Sequence, residues 1–107
     1  MDTAKKEIIA SIKERFDENR CLMVERMLSI MSNPIRFHIL CALMRDSFSV
    51  TELVELTDSK LSNISQQLKM MSLAGYIVKE RRGKQSIYSL QDDRVRRLIE
   101  TLEELFI

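Results

Sequence analysis

The chain has no tryptophan, one histidine, one proline and two glycines in 107 residues. So little glycine and proline excludes long irregular connections. A single histidine, with no glycine-rich phosphate loop and no nucleophile beside a base, leaves nothing on which to build an enzyme. Two cysteines, Cys21 and Cys41, cannot form the disulfide framework of a small secreted domain. No stretch approaches the roughly 20 apolar residues of a membrane span, and the opening residues MDTAKKEIIA lack the apolar core of a secretory signal. The expectation is a cytoplasmic protein with reduced thiols, no cofactor and no membrane partner.

What the chain does have is a local charge imbalance. Basic and acidic residues nearly cancel, 17 against 16. Between Lys60 and Leu90, however, lie Lys60, Lys69, Lys79, Arg81, Arg82 and Lys84 against the single acid Glu80, so that segment carries +5 and the rest −4. A basic stretch within a neutral chain points to a confined anionic partner such as a nucleic-acid backbone. At this length the apolar 45% suffices for one core, and residues 1–107 are expected to form a single domain.

The stretch LSNISQQLKMMSLAG, Leu61 to Gly75, organises the rest. Leu61, Ile64, Leu68, Met71 and Ala74 recur at three- and four-residue spacing, which predicts a helix roughly four turns long with one buried stripe. Its other face is Ser62, Asn63, Ser65, Gln66, Gln67 and Lys69. Ser and Asn are only middling helix formers, but hydroxyls and amides are what base edges and phosphates accept as partners. Gly75 supplies the left-handed residue that ends such a helix.

The flanking segments give this helix a context. Residues from about Ala4 to Met31 read as helical, with Val24, Met27, Leu28 and Met31 on one stripe. Ile8, Ile9, Ile12 and Phe16 form a looser one across a polar join from Asp17 to Arg20. Residues 1–16 are read as an N-terminal extension that continues the helix, forms a separate turn or crosses to a partner chain. Asn33 and Pro34 are a cap and a first helical residue for a second, central helix from Ile35 to about Arg45, on which the lone His38 is a partly exposed residue. Phe48 to Val50 allow a very short strand. Ser49 and Glu52 spell a capping box for a short third helix to about Leu56, with Leu53 and Leu56 inward, and Thr57 to Lys60 make a polar turn.

A short capped helix, a tight turn and a helix with a polar face outline a helix-turn-helix. Ile77 to Arg82 and Gln85 to Leu90 are strand-like runs joined around Gly83, which sets RRGK at the tip of a β-hairpin, with Tyr88 and Leu90 turned to the core. The fold class expected is mainly α with a small β-hairpin: a winged helix-turn-helix. The residues expected at DNA are Lys60, Ser62, Asn63, Ser65, Gln66, Gln67, Lys69, Arg81, Arg82 and Lys84. Asp92 or Asp93 caps a last helix whose apolar residues Val95, Leu98, Ile99, Leu102, Leu105 and Phe106 exceed what one chain can cover. With Val24, Leu28 and Met31 they are the expected interface of a two-fold homodimer, formed by the first and last helices and presenting two recognition helices to double-stranded DNA.

The strings SNPIRFHILCAL and SVTELVELTDSKLSNISQQLKMMSLAGYIVKERRGKQSIYSLQD resemble the arsenic-repressor and metallothionein-repressor (ArsR/SmtB) family of bacterial winged helix-turn-helix regulators, from about Val24 to the C-terminus. The resemblance implies a homodimeric DNA-binding repressor, released when an inducer binds or reacts; the alternatives are a constitutive DNA binder that antagonises another DNA-binding protein and a winged-helix protein-interaction module without DNA binding. Two metal sites that members of the family use are missing: Ser49 and Thr51, or their immediate neighbours, stand where a thiolate pair belongs. Asp92 is kept, but Arg94 and Leu105 occupy the histidine positions of a zinc site. An oxygen-only set of Asp92, Asp93, Glu100 and Glu103 is the remaining metal option, against which exposed, solvated acids are the simpler reading. ILCAL and ISQQL are closest to the reactive-sulfur-sensing and haemolysin-activator branch, in which a Cys matching Cys41 pairs with one on the last helix; that second position falls at about Ile107. Cys21 is the only substitute, and two small buried hydrophobes are the simpler reading of the pair.

Overall fold

A computed structural model describes residues 2–107. Among them the chain forms α1 (Thr3–Arg15), α2 (Glu18–Met31), α3 (Pro34–Leu43), β1 (Phe48–Ser49), α4 (Val50–Thr57), α5 (Leu61–Leu73), β2 (Ile77–Arg82), β3 (Gln85–Leu90) and α6 (Asp93–Phe106). The expected helical stretch up to Met31 is two helices. The Asp17 carboxylate accepts the Arg20 N–H at 2.8 Å and so starts a new helix where the sequence showed only a polar join. Residues 3–15 are thus a separate helix with no buried residue; Ile8, Ile12 and Phe16 are all more than half exposed.

Helix α3 is central, as its nearly continuous apolar surface predicts, and contributes Ile39, Leu40, Ala42 and Leu43 to the core. Asn33 Oδ1 accepts the Ile35 and Arg36 N–H groups at 2.9 and 3.1 Å. Leu53 from α4, Ile64, Leu68 and Met71 from α5, Tyr76, Ile77 and Tyr88 around the sheet, and Val95 and Ile99 from α6 complete the core. Truncating any of the fully buried Leu or Ile side chains to Ala is worth about 2–5 kcal/mol. Two expected stripes are narrower than their periodicity: Leu56 is 49% and Leu61 59% exposed, and Ala74 is exposed. Leu56 lies in the last turn of a helix that reaches the core through Leu53, Leu61 is the first residue of α5, and Ala74 is its C-cap.

The capping box at Ser49 is complete, with Ser49 Oγ accepting from Glu52 N at 3.2 Å and Glu52 Oε1 accepting from Ser49 N at 2.8 Å. Helix α5 ends in a Schellman turn: Gly75, at φ +83°, donates to the Ser72 carbonyl, and Tyr76 N donates to the Met71 carbonyl, both at 3.1 Å. The Tyr76 carbonyl then accepts the Gln91 and Asp92 N–H groups at 3.0 and 3.2 Å. One residue thereby ties the end of α5 to the start of α6. The strands make an antiparallel sheet in the order β1-β3-β2, with Phe48 opposite Tyr88, Ile77 opposite Leu90 and Arg82 opposite Gln85.

Candidate nucleic-acid interface

Helices α4 and α5 enclose a turn in which Asp58 takes a left-handed φ of 54°. Lys60 is the N-cap residue of α5 and offers no side-chain hydrogen bond to it. The first N–H groups of this helix therefore have no side-chain acceptor within the cap. Ser62, Ser65, Gln66 and Lys69 are exposed, on the side opposite the buried Ile64, Leu68 and Met71. Leu73, 80% exposed, and Met70 bring apolar surface to the same side. Periodicity alone did not single these two out; both lie in the last turn of α5, away from its N-terminal polar residues.

Asn63 and Gln67 occupy the flank of α5 rather than its open side, and both are half-buried. Gln67 Oε1 accepts from Arg36 Nη1 at 2.9 Å, and Gln67 Nε2 donates to Asn63 Oδ1 at 3.1 Å. Arg36, from α3, was not among the residues expected to matter. A contact that joins positions 31 apart in sequence has no signature in local pattern.

The hairpin places Gly83 and Lys84 between Arg82 and Gln85. Gly83, at φ +62°, has the positive φ that a two-residue II′ loop needs at its first position. Arg81 Nε donates to the Gly83 carbonyl at 3.0 Å and so folds back over the tip. Strand alternation separates Lys79 and Arg81 from Glu80 and Arg82. Arg82 meets Glu80 at 3.2 Å with both side chains more than half exposed, a pairing that water screens and a phosphate can displace. The four basic residues of the wing, Lys79, Arg81, Arg82 and Lys84, are exposed, as are Lys60 and Lys69 of the α5 segment.

Met23, Val24, Met27 and Leu28 of α2 and Arg94 and Leu98 of α6 line an almost entirely apolar groove of about 370 Å³. Val24 and Leu28 are 54% and 57% exposed, and Leu105 and Phe106 more so. Two residues expected in an interface are not available to one: Val95 and Ile99 are 1% and 0% exposed, because they point into the protomer's own core. Met31 also packs against that core.

Cys21 and Cys41 are free and half-buried. Cys21 Sγ lies 3.7 Å from the Phe16 carbonyl. Cys41 borders a shallow hollow with the exposed His38, Ala42, Arg45 and Leu56. Burial first, and the Glu103 carboxylate second, push its thiol upward from the ordinary value, while Arg45 pulls the other way. Among the described residues no three His, Cys, Asp or Glu side chains converge as a metal site. Asp92 is occupied instead by Arg94.

The family model for bacterial regulatory proteins of the arsR family matches residues 33–79, which run from the cap of α3 into β2. The chain is similar to the biofilm growth-associated repressor of Agrobacterium fabrum, at 36% identity over 89 residues that cover 83% of this chain and 76% of the relative. Its fold matches the transcriptional repressor BigR from Xylella fastidiosa with a TM-score of 0.78 at 30% identity, covering 84% of this chain and 92% of the other. Reduced HlyU from Vibrio cholerae matches with a TM-score of 0.79 at 28% identity, over 83% of this chain and 94% of the other.

Proposed function

The chain belongs to the arsR family of bacterial regulatory proteins, and from that membership we propose how this winged helix-turn-helix transcriptional regulator handles DNA: as a homodimeric, cytoplasmic repressor. The observation that carries the reading is the pairing of an exposed polar face on α5 with a basic hairpin beside it. Ser62, Ser65 and Gln66 read base edges from the major groove, with Asn63 and Gln67 on their flank. Lys60, Lys69, Arg81, Arg82 and Lys84 hold phosphates. Repression is favoured over activation because two of the three relatives quoted above are repressors, the third, HlyU of Vibrio cholerae, being a transcriptional activator.

The homodimer is supported by the apolar groove between α2 and α6. Val24, Leu28, Leu98, Leu102, Leu105 and Phe106 face the partner, and closure about a two-fold axis presents two α5 helices to successive major grooves. An inducer releases the DNA. If it acts on a thiol, Cys41 is the residue it reaches, because the hollow beside it opens to solvent, and a group added there presses on Leu56 of α4.

The test is titration of the purified chain against its own promoter region and against unrelated duplex at two salt concentrations, thiols reduced. Specific binding is expected to exceed non-specific binding by about a thousandfold or more, with both weakening as salt rises. Equal affinity for the two duplexes removes the assignment of base readers. No binding to either supports a winged-helix interaction module instead.

A further inference from the structure

Gln67 is committed at both ends of its amide, and the direction of its bonds is dictated by chemistry. A guanidinium has donors only, so the Gln67 atom facing Arg36 must be its oxygen. The NH₂ group is then turned to Asn63, and the Asn63 atom facing an NH₂ must in turn be Oδ1. Asn63 is left with Nδ2 to offer outward, from the third residue of a helix whose N-terminal residues meet base edges. Arg36 is itself held. Its Nε donates to the Ile30 carbonyl at 2.8 Å and Nη2 to the Ser29 carbonyl at 3.1 Å. These belong to the last turn of α2, where carbonyls lack helical partners and the helix dipole favours a cation.

We propose that Arg36 is a positioning residue for DNA reading: it ties α5 to the end of α2 and, through Gln67, fixes Asn63 as a hydrogen-bond donor toward the DNA. Asn63 then selects acceptor edges, such as guanine O6 and N7 or thymine O4, over the donor edge of cytosine. Bidentate pairing with adenine, which needs both ends of an amide, falls to Gln66, whose side chain makes no hydrogen bond among the described residues. The link also joins the helix that lines the apolar groove to the helix that carries the readers.

This inference rests on the regulator reading given above, and the Gln67→Glu variant tests it separately. A carboxylate still accepts from Arg36 but cannot donate, so Asn63 must turn its NH₂ inward and show its oxygen to the DNA. The added charge weakens binding to every sequence alike, so relative preferences carry the answer. A randomised double-stranded DNA pool is enriched on parent and variant, and single-base variants of the enriched sequence are then competed. At one base pair the preference is expected to move roughly three- to tenfold from acceptor edges toward donor edges, with the rest of the site unchanged. Arg36→Lys, which keeps the charge and loses the planar fork, is expected to flatten preference at that same base pair. Unaltered preference in both variants overturns the proposal. If the parent enriches no sequence, the regulator reading fails instead, and the tie is judged in the free chain by NMR. Slow solvent exchange of the Arg36 Nε–H and Gln67 NH₂ supports it, and exchange at the rate of a free side chain overturns it.

Discussion

Asp92 holds Arg94 with both carboxylate oxygens, Oδ1 accepting from Nε at 3.1 Å and Oδ2 from Nη2 at 2.7 Å, while Oδ1 also takes the Arg94 backbone N–H at 2.8 Å. The pair caps α6 and seats a guanidinium where the zinc-binding pattern needs an imidazole. The Arg94 side-chain hydrogen bond, foremost, holds the Asp92 carboxyl below the usual carboxylate range.

The sign of the resulting pH dependence is fixed. A carboxyl with a lowered folded-state value contributes stability above the ordinary carboxylate range and loses it as pH falls through that lowered value. Asp92→Ala is expected to cost about 1 kcal/mol, lowering Tm by roughly 4–8 °C at this chain length. Asp92→Asn is expected to keep the cap but lose the acid dependence. Thermal unfolding at neutral and acid pH, followed by circular dichroism, checks both.

Wing and helix should fail in different ways. Arg82→Ala or Lys84→Ala is expected to weaken binding to all duplexes about equally and to reduce the slope of log affinity on log salt by about 1. Gln66→Ala is expected to change preference among sequences with the slope intact. Fluorescence anisotropy on matched duplexes at several salt concentrations separates them, and uniform loss for Gln66→Ala would sink its role as a base reader.

Val24 is more than half exposed in the groove, so a charge there leaves the protomer's core alone. Val24→Glu is expected to convert a dimer into a folded monomer in sedimentation velocity. Operator affinity should then fall by about a hundredfold or more, because the two half-sites no longer bind together. A dimer that persists moves the interface elsewhere.

Cys41 is expected to be alkylated more slowly at neutral pH than an unhindered free thiol, because burial and Glu103 disfavour its thiolate. Glu103→Gln should speed the reaction and Arg45→Ala should slow it, as read by mass spectrometry of iodoacetamide-treated chain. The stability sign is opposite to that of Asp92: a raised thiol value contributes fully below the ordinary thiol range and is lost as pH rises above it.

Features written in local chemistry were legible in the sequence. Ser49 with Glu52, Asn33 with Pro34, Gly75 and the hairpin around Gly83 each satisfy a backbone requirement within a few residues, and the structure has each of them. Features that depend on what a residue meets across space were not. Asp17 reads in sequence as part of a polar join, whereas in space its carboxylate caps α2. Leu56 and Leu61 follow helical spacing but project beyond the core, whereas Val95 and Ile99 follow the same spacing and are fully absorbed by it. Within the candidate interface, exposed polar residues at the start of α5 were legible because they depart from ordinary helix composition. The engagement of Gln67 by Arg36 was not, since it depends on how α3 crosses α5.

Ser49 has a mechanical consequence. It is the last residue of β1, opposite Ile87 of the wing strand, and also the N-cap of α4. No spacer separates the sheet from the helix, so a force on the hairpin is delivered to the first turn of α4 without slack. Ser49 therefore couples the wing strand to the helix-turn-helix directly, alongside the short Gly75 and Tyr76 connection that leads from α5 into β2.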